Sequence, residues 1–238
     1  MKTKPLLHCT LSVLALTSSA LITAPVSATE VLMRTNLGDI EIDLFEEETP
    51  ITVENFLSYT RDGAYEQGII HRSVRDFVLQ GGRDQIVGEE LVAIETDLPI
   101  QNEPGISNLR GTIAMAKQAG NPDSATSQWF FNLDDNTFLD TDNGGFTVFG
   151  QVSTDSLAVL DAIGALPIVN TGNTFFTELP LFNWNQGEPI ELENFVVLSV
   201  DELTDFQINP GLNDAWFDPA TAGQGFFERM KSARNSSF

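Results

Sequence analysis

The chain has few of the residues that most often carry chemistry. It holds one cysteine, Cys9, and two histidines, His8 and His71. Cys9 and His8 sit in a segment with the marks of a cleaved leader. Lys2 and Lys4 precede an apolar stretch at 6–22, and Val26-Ser27-Ala28 supplies the small residues of a signal-peptidase site. Residues 1–28 are therefore expected to be a secretory signal peptide, with Thr29 opening the mature chain. His8, Thr10, Ser12 and 17–19 interrupt the apolar stretch, which makes it weak as a spanning helix. His8 also stands where a lipoprotein motif at Cys9 needs a small residue. The mature chain then keeps His71 alone, so disulfides, thiol nucleophiles and Cys/His zinc sites are excluded.

Positive charge is also scarce, with 12 Lys and Arg against 34 Asp and Glu, and none between Lys117 and Arg229. Loss of Lys2 and Lys4 moves the net charge from −22 to about −24. Such a field repels phosphate backbones, so no nucleic-acid partner is expected. No stretch after the leader is long and apolar enough to cross a bilayer as a helix, and stable membrane insertion after cleavage is not expected.

What is present is a series of short apolar segments. Segments 31–34 and 39–45 flank Asn36-Leu37-Gly38, and in the second Ile40, Ile42 and Leu44 alternate with Glu41 and Asp43. That pattern predicts a hairpin with one buried face. Pro50 opens a stretch in which Val53, Phe56 and Leu57 recur at helical spacing, predicting a helix over 50–61 that ends before Gly63. Further strands are predicted at 69–74, 77–79, 112–116, 128–133, 146–152 and 191–200, and a second helix over 153–165. The polar stretch 83–108 reads as a surface excursion and 167–187 as loop. Residues 202–238 form an extension, in which 213–227 could make a hairpin.

Three blocks carry a specific resemblance. IHRSVRDFVLQGG at 70–82 is followed by RGTIAMA at 110–116 with SATSQWFFNL at 124–133, then by NTFLD at 136–140 with FTVFGQV at 146–152. In order and spacing they resemble the cyclophilin signature, and the similarity extends over about 30–201. Gln101-Asn102-Glu103 before RGTIAMA resembles the bacterial exported branch. The resemblance implies a mainly β fold, a closed eight-stranded antiparallel barrel with two capping helices, as domain 29–201. It implies a peptidyl-prolyl cis/trans isomerase that acts on proline-containing polypeptides during folding of exported proteins. No cofactor or metal is implied, and a monomer is expected.

By the same resemblance Arg72 is catalytic and Gln80 orients it, while Gln128 binds substrate. Phe77, Val78, Phe130, Leu139 and Phe146 match the proline pocket, and the main chain near Lys117 matches the position that pairs with substrate. Phe138 is counted with the substrate-binding residues by the same resemblance, and it stands where eukaryotic-type members carry a Trp that contributes to cyclosporin binding. Ile70, Val78, Trp129 and Phe146 also depart from the family's usual residues. Strand alternation puts His71 on the face opposite Arg72, so it is assigned to structure. DTDNGG at 140–145 reads as a turn rather than a calcium loop, because Gln151 stands where Glu is needed. The competing function is a non-catalytic binding module using the same pocket as a chaperone or scaffold.

Overall fold

The computed structural model describes residues 29–203. The leader at 1–28 and the hairpin expected at 213–227 lie outside the described residues. The chain opens with β1 (Glu30–Thr35) and β2 (Gly38–Leu44), paired from Glu30↔Asp43 to Thr35↔Gly38. Ile40, Ile42 and Leu44 point inward while Glu41 and Asp43 face solvent, as the alternation predicts. Helix α1 (Pro50–Arg61) follows. Its first N–H groups have no intrahelical partner, and the Glu103 carboxylate accepts from Ile51 N–H at 3.2 Å and Thr52 N–H at 2.9 Å.

The chain then forms β3 (Gly68–Ile69), β4 (Arg72–Val74), β5 (Val78–Gly81), β6 (Asp84–Val87) and β7 (Glu90–Ala93). Next come β8 (Thr112–Met115), β9 (Trp129–Asn132) and β10 (Val148–Val152). Helix α2 (Leu157–Gly164) leads to β11 (Ile168–Val169), β12 (Leu179–Pro180) and β13 (Val197–Leu203).

One curled, antiparallel sheet runs β4-β5-β9-β8-β10-β2-β1-β13-β3-β6-β7. This corrects the expected closed barrel of eight strands to an open half-barrel with edges at β4 and β7. The reason lies between Ile70 and His71. Ile70 N–H donates to Val196 O beside β13, whereas His71 N–H donates to Gln80 O on β5. Consecutive residues thus serve different neighbours, and the predicted strand 69–74 splits into β3 and β4. Chain continuity links these two pieces, and no ladder joins them.

Two further expectations are corrected. The polar stretch 83–108 contains the β6–β7 hairpin, paired from Asp84↔Ala93 to Val87↔Glu90. Its side chains are mostly exposed or half-buried, so it carries little of the apolar alternation that marks a core strand. The stretch 167–187 is anchored by the β11–β12 pair and by its own apolar cluster, in which Leu179 and Leu181 pack with Ile69 and Phe195.

The concave face of the sheet holds the main core. Met33, Ile42, Leu79, Ile113 and Phe131 pack there against Phe56 and Leu57 of α1 and Leu160 and Ile163 of α2. Trp129 lies edge-on to Phe131 at 5.3 Å and to Tyr65 at 6.3 Å. Its ring is accommodated by Gly81, where an added Cβ would lie 2.6 Å from the Trp129 ring. A second cluster of Val78, Ala114, Phe130, Leu139 and Val148 forms on the opposite, convex face.

Candidate active site

Strand pairing builds the site as one transverse row. Arg72 is opposite Gln80, Gln80 opposite Phe130, Phe130 opposite Ala114, and Ala114 opposite Val148. Because side chains alternate, this row shares the convex face, while Ser73, Leu79, Phe131 and Ile113 fill the next row on the concave face. Residues far apart in sequence are thereby set side by side, polar at one end and apolar at the other.

At the polar end Arg72 Nε donates to Glu178 Oε2 at 2.7 Å, and its Nη1 approaches Gln80 Oε1 at 3.5 Å. Gln80 Nε2 donates to Gln128 Oε1 at 3.0 Å. The chain of contacts Glu178–Arg72–Gln80–Gln128 therefore spans three strand neighbourhoods. At the apolar end Phe130, Val78 and Leu139 form a buried floor, with Phe77 and Phe146 half-buried around it. Phe146 meets Phe130 edge to face at 5.8 Å.

Lys117 emerges beyond β8 and closes one side. Its Nζ donates to Gly145 O at 2.6 Å and to Asn143 O at 3.0 Å, and it lies 4.7 Å from the Phe146 ring centroid. Burial lowers its pKa below the ordinary lysine value, against the opposing pull of Asp123 and Asp142. Phe138 stands apart from the pocket floor. It is 59% exposed and stacks on Phe77 at 5.8 Å, forming the rim of the cleft.

His71 points the other way. It is 3% exposed on the concave side, and its pKa is lowered to about 3, first by burial and then by the charges of Arg83 and Arg72. A base that weak stays neutral at physiological pH and faces away from the cleft.

A buried polar network holds the wall of the cup. Asn132 Nδ2 donates to Thr112 Oγ1 at 2.8 Å, and Asn136 Nδ2 donates to Asn132 Oδ1 and Phe77 O, both at 2.9 Å. Asp140 accepts from Ser107 Oγ at 2.6 Å and from Asn108 N–H at 2.8 Å. Burial pushes the Asp140 pKa up, but these hydrogen bonds outweigh it and hold the carboxyl below its ordinary value. They fix the segment that presents Leu139 and Phe146. Sequence reasoning missed this network and Glu178 alike. The asparagines fall within or beside the recognised blocks but look like loop residues. Glu178 lies in TEL, where nothing in the pattern distinguishes it from the chain's other acids.

The arrangement defines a class of protein. An apolar cup adjoins a fixed cation and two amides, and among the described residues no nucleophile–base pair stands beside them. Such a site can seat a side chain, hold the adjoining backbone and stabilise charge, without bond cleavage. The chain matches the family model of the cyclophilin type peptidyl-prolyl cis-trans isomerases over residues 30–181 and belongs to that family. A peptidyl-prolyl cis-trans isomerase of Acinetobacter baylyi is 43% identical over 148 residues, covering 60% of this chain and 76% of that protein. Peptidyl-prolyl cis-trans isomerase A of Dickeya dadantii is 38% identical over 173 residues, covering 71% and 88%. The crystal structure of a Cryptosporidium parvum cyclophilin type isomerase in the presence of the dipeptide Ala-Pro shares the fold. Its TM-score is 0.54 at 21% identity, covering 74% of this chain and 99% of that one.

Proposed function

We propose that this chain catalyses cis/trans isomerisation of X-Pro bonds, with Arg72 as the catalytic residue. The observation that carries the reading is the single row in which Arg72 and Gln80 stand beside Phe130 and the apolar cup. An X-Pro bond isomerises in tens to hundreds of seconds, because the amide must lose its partial double-bond character as it twists. In the twisted state the prolyl nitrogen regains a lone pair. The cup formed by Val78, Phe130, Leu139, Phe77 and Phe146 seats the proline ring, and Arg72 donates a hydrogen bond to that lone pair. A guanidinium suits the task, since it stays protonated and presents several donors in a rigid plane.

Gln80 steadies Arg72, while Gln128 and the main chain near Lys117 hold the extended peptide on either side of the proline. Acceleration comes from donors aimed in advance at charge that develops only in the twisted state. Phe138 lines the rim without touching the ring. The clients are exported proteins, reached after removal of 1–28, and the chain works as a monomer.

The test is line-shape or exchange NMR on a short peptide containing Ala-Pro, with the mature protein at catalytic concentration. Cis and trans signals exchanging far faster than in the free peptide support the enzyme. Saturable binding with an unchanged exchange rate would instead establish the non-catalytic binding module.

A further inference from the structure

The residue that fixes Arg72 most closely is Glu178, which comes from the segment between α2 and β13. Its carboxylate takes the Arg72 Nε–H at 2.7 Å, whereas the contact from Arg72 Nη1 to Gln80 is 3.5 Å. An arginine side chain has several free torsions, and a single long contact to an amide does not define its plane. The charge-assisted bond at Nε does.

Glu178 is itself delivered by anchored backbone. Its carbonyl accepts the Ser73 N–H at 2.7 Å, on the strand that carries Arg72. The next residue, Leu179, pairs with Val169 and is buried among Ile69, Leu181 and Phe195. On the other side, Phe175 lies 3.7 Å beneath the guanidinium of Arg83. The carboxylate is thus held in place from both flanks.

We infer that Glu178 is a positioning residue for Arg72, holding the guanidinium by Nε so that its terminal nitrogens face the prolyl peptide. The inference rests on the isomerase reading of the site. The side chains of Arg72 and Glu178 are 34% and 38% exposed, so the pair contributes little to stability. Its consequence is geometric, because displacing a catalytic group by about an ångström can cost up to about a hundredfold in rate.

The experiment measures kcat and KM for the wild type, Glu178→Ala and Glu178→Gln, with thermal unfolding of each. In parallel, ¹⁵N NMR follows the Arg72 Nε–H signal. Glu178→Ala is expected to lower kcat by roughly tenfold with KM changed less than about twofold, since orientation and not binding is lost. Glu178→Gln keeps an acceptor at the same reach and is expected to recover most of the rate. The Nε–H signal should be protected in the wild type and in Glu178→Gln, and lost in Glu178→Ala.

An unchanged or raised kcat in folded Glu178→Ala would overturn the inference, the second by making Glu178 a brake. Equal losses in both variants, tracking lost thermal stability, would also overturn it by showing a structural role. If Glu178→Ala does not fold, Glu178→Gln still decides through its rate and its Nε–H protection. A wild type without catalysis would refute the proposed function, and the NMR arm would still judge the hold of Glu178 on Arg72.

Discussion

Acidification offers a perturbation whose size follows from the burial of His71. The imidazole is 3% exposed on the concave face, and its pKa in the folded protein is lowered to about 3 from an ordinary 6.5. The charges felt there are cationic, those of Arg83 and Arg72, so protonation meets both desolvation and repulsion. For a base whose folded value is depressed, the unfolded chain binds the extra proton. Stability is therefore full above about pH 6.5 and is lost as pH falls towards 3. At pH 7 the effect is small, about 0.2 kcal/mol. At pH 5 the unfolded imidazole is almost fully protonated and the folded one is not, which costs about 2 kcal/mol. A His71→Leu variant removes this proton but keeps the carboxylates, whose own titration is common to both proteins and cancels in the difference. Urea unfolding of both proteins at pH 7 and pH 5 should show the wild type losing about 2 kcal/mol more than the variant between the two. Parallel losses would refute a neutral, buried His71. Isomerase activity of folded His71→Leu should stay within about threefold of wild type, and a hundredfold drop would place the imidazole in the chemistry after all.

Two further predictions concern the rim and the strand end. Phe138 offers an exposed aromatic face but no N–H donor. The protein should therefore be poorly inhibited by cyclosporin, and Phe138→Trp should tighten inhibition by up to about a hundredfold with turnover nearly unchanged. Tight inhibition of the wild type in an inhibitor titration would show that Phe138 is not the determinant. Gly82 has φ +78°, and an added Cβ would lie 2.4 Å from Ser127 O. Gly82→Ala should cost about 2 kcal/mol or more in urea unfolding, through backbone strain and a clash that backbone cannot relieve cheaply. A loss below about 0.5 kcal/mol would contradict it.

Much of this architecture was legible in the residues themselves. The alternation in 39–45 and the helical spacing of Val53, Phe56 and Leu57 identify β2 and α1, because each pattern reports one buried face. The blocks around Arg72, Phe130 and Phe146 supplied candidate site residues, and the sheet brings these together in one row and one apolar cluster. Phe138 lies on the rim of the cleft against Phe77.

The misses share a cause. The split of 69–74 at Ile70 and His71 is a change of hydrogen-bond partner, which leaves no trace in apolar periodicity. The β6–β7 hairpin buries too little to alternate clearly, and closure of the sheet depends on pairing between distant segments. Glu178 contacts Arg72 across 106 positions, and its residue type alone says nothing of that.

The central claim is that Arg72 accelerates the twist of the X-Pro bond. Its most direct test is kcat/KM in a protease-coupled assay on a short X-Pro peptide, for the wild type and for Arg72→Ala shown by circular dichroism to be folded. The account predicts measurable turnover in the wild type and a loss of roughly a hundredfold or more in the variant. A folded Arg72→Ala protein within a few-fold of wild-type kcat/KM would contradict it.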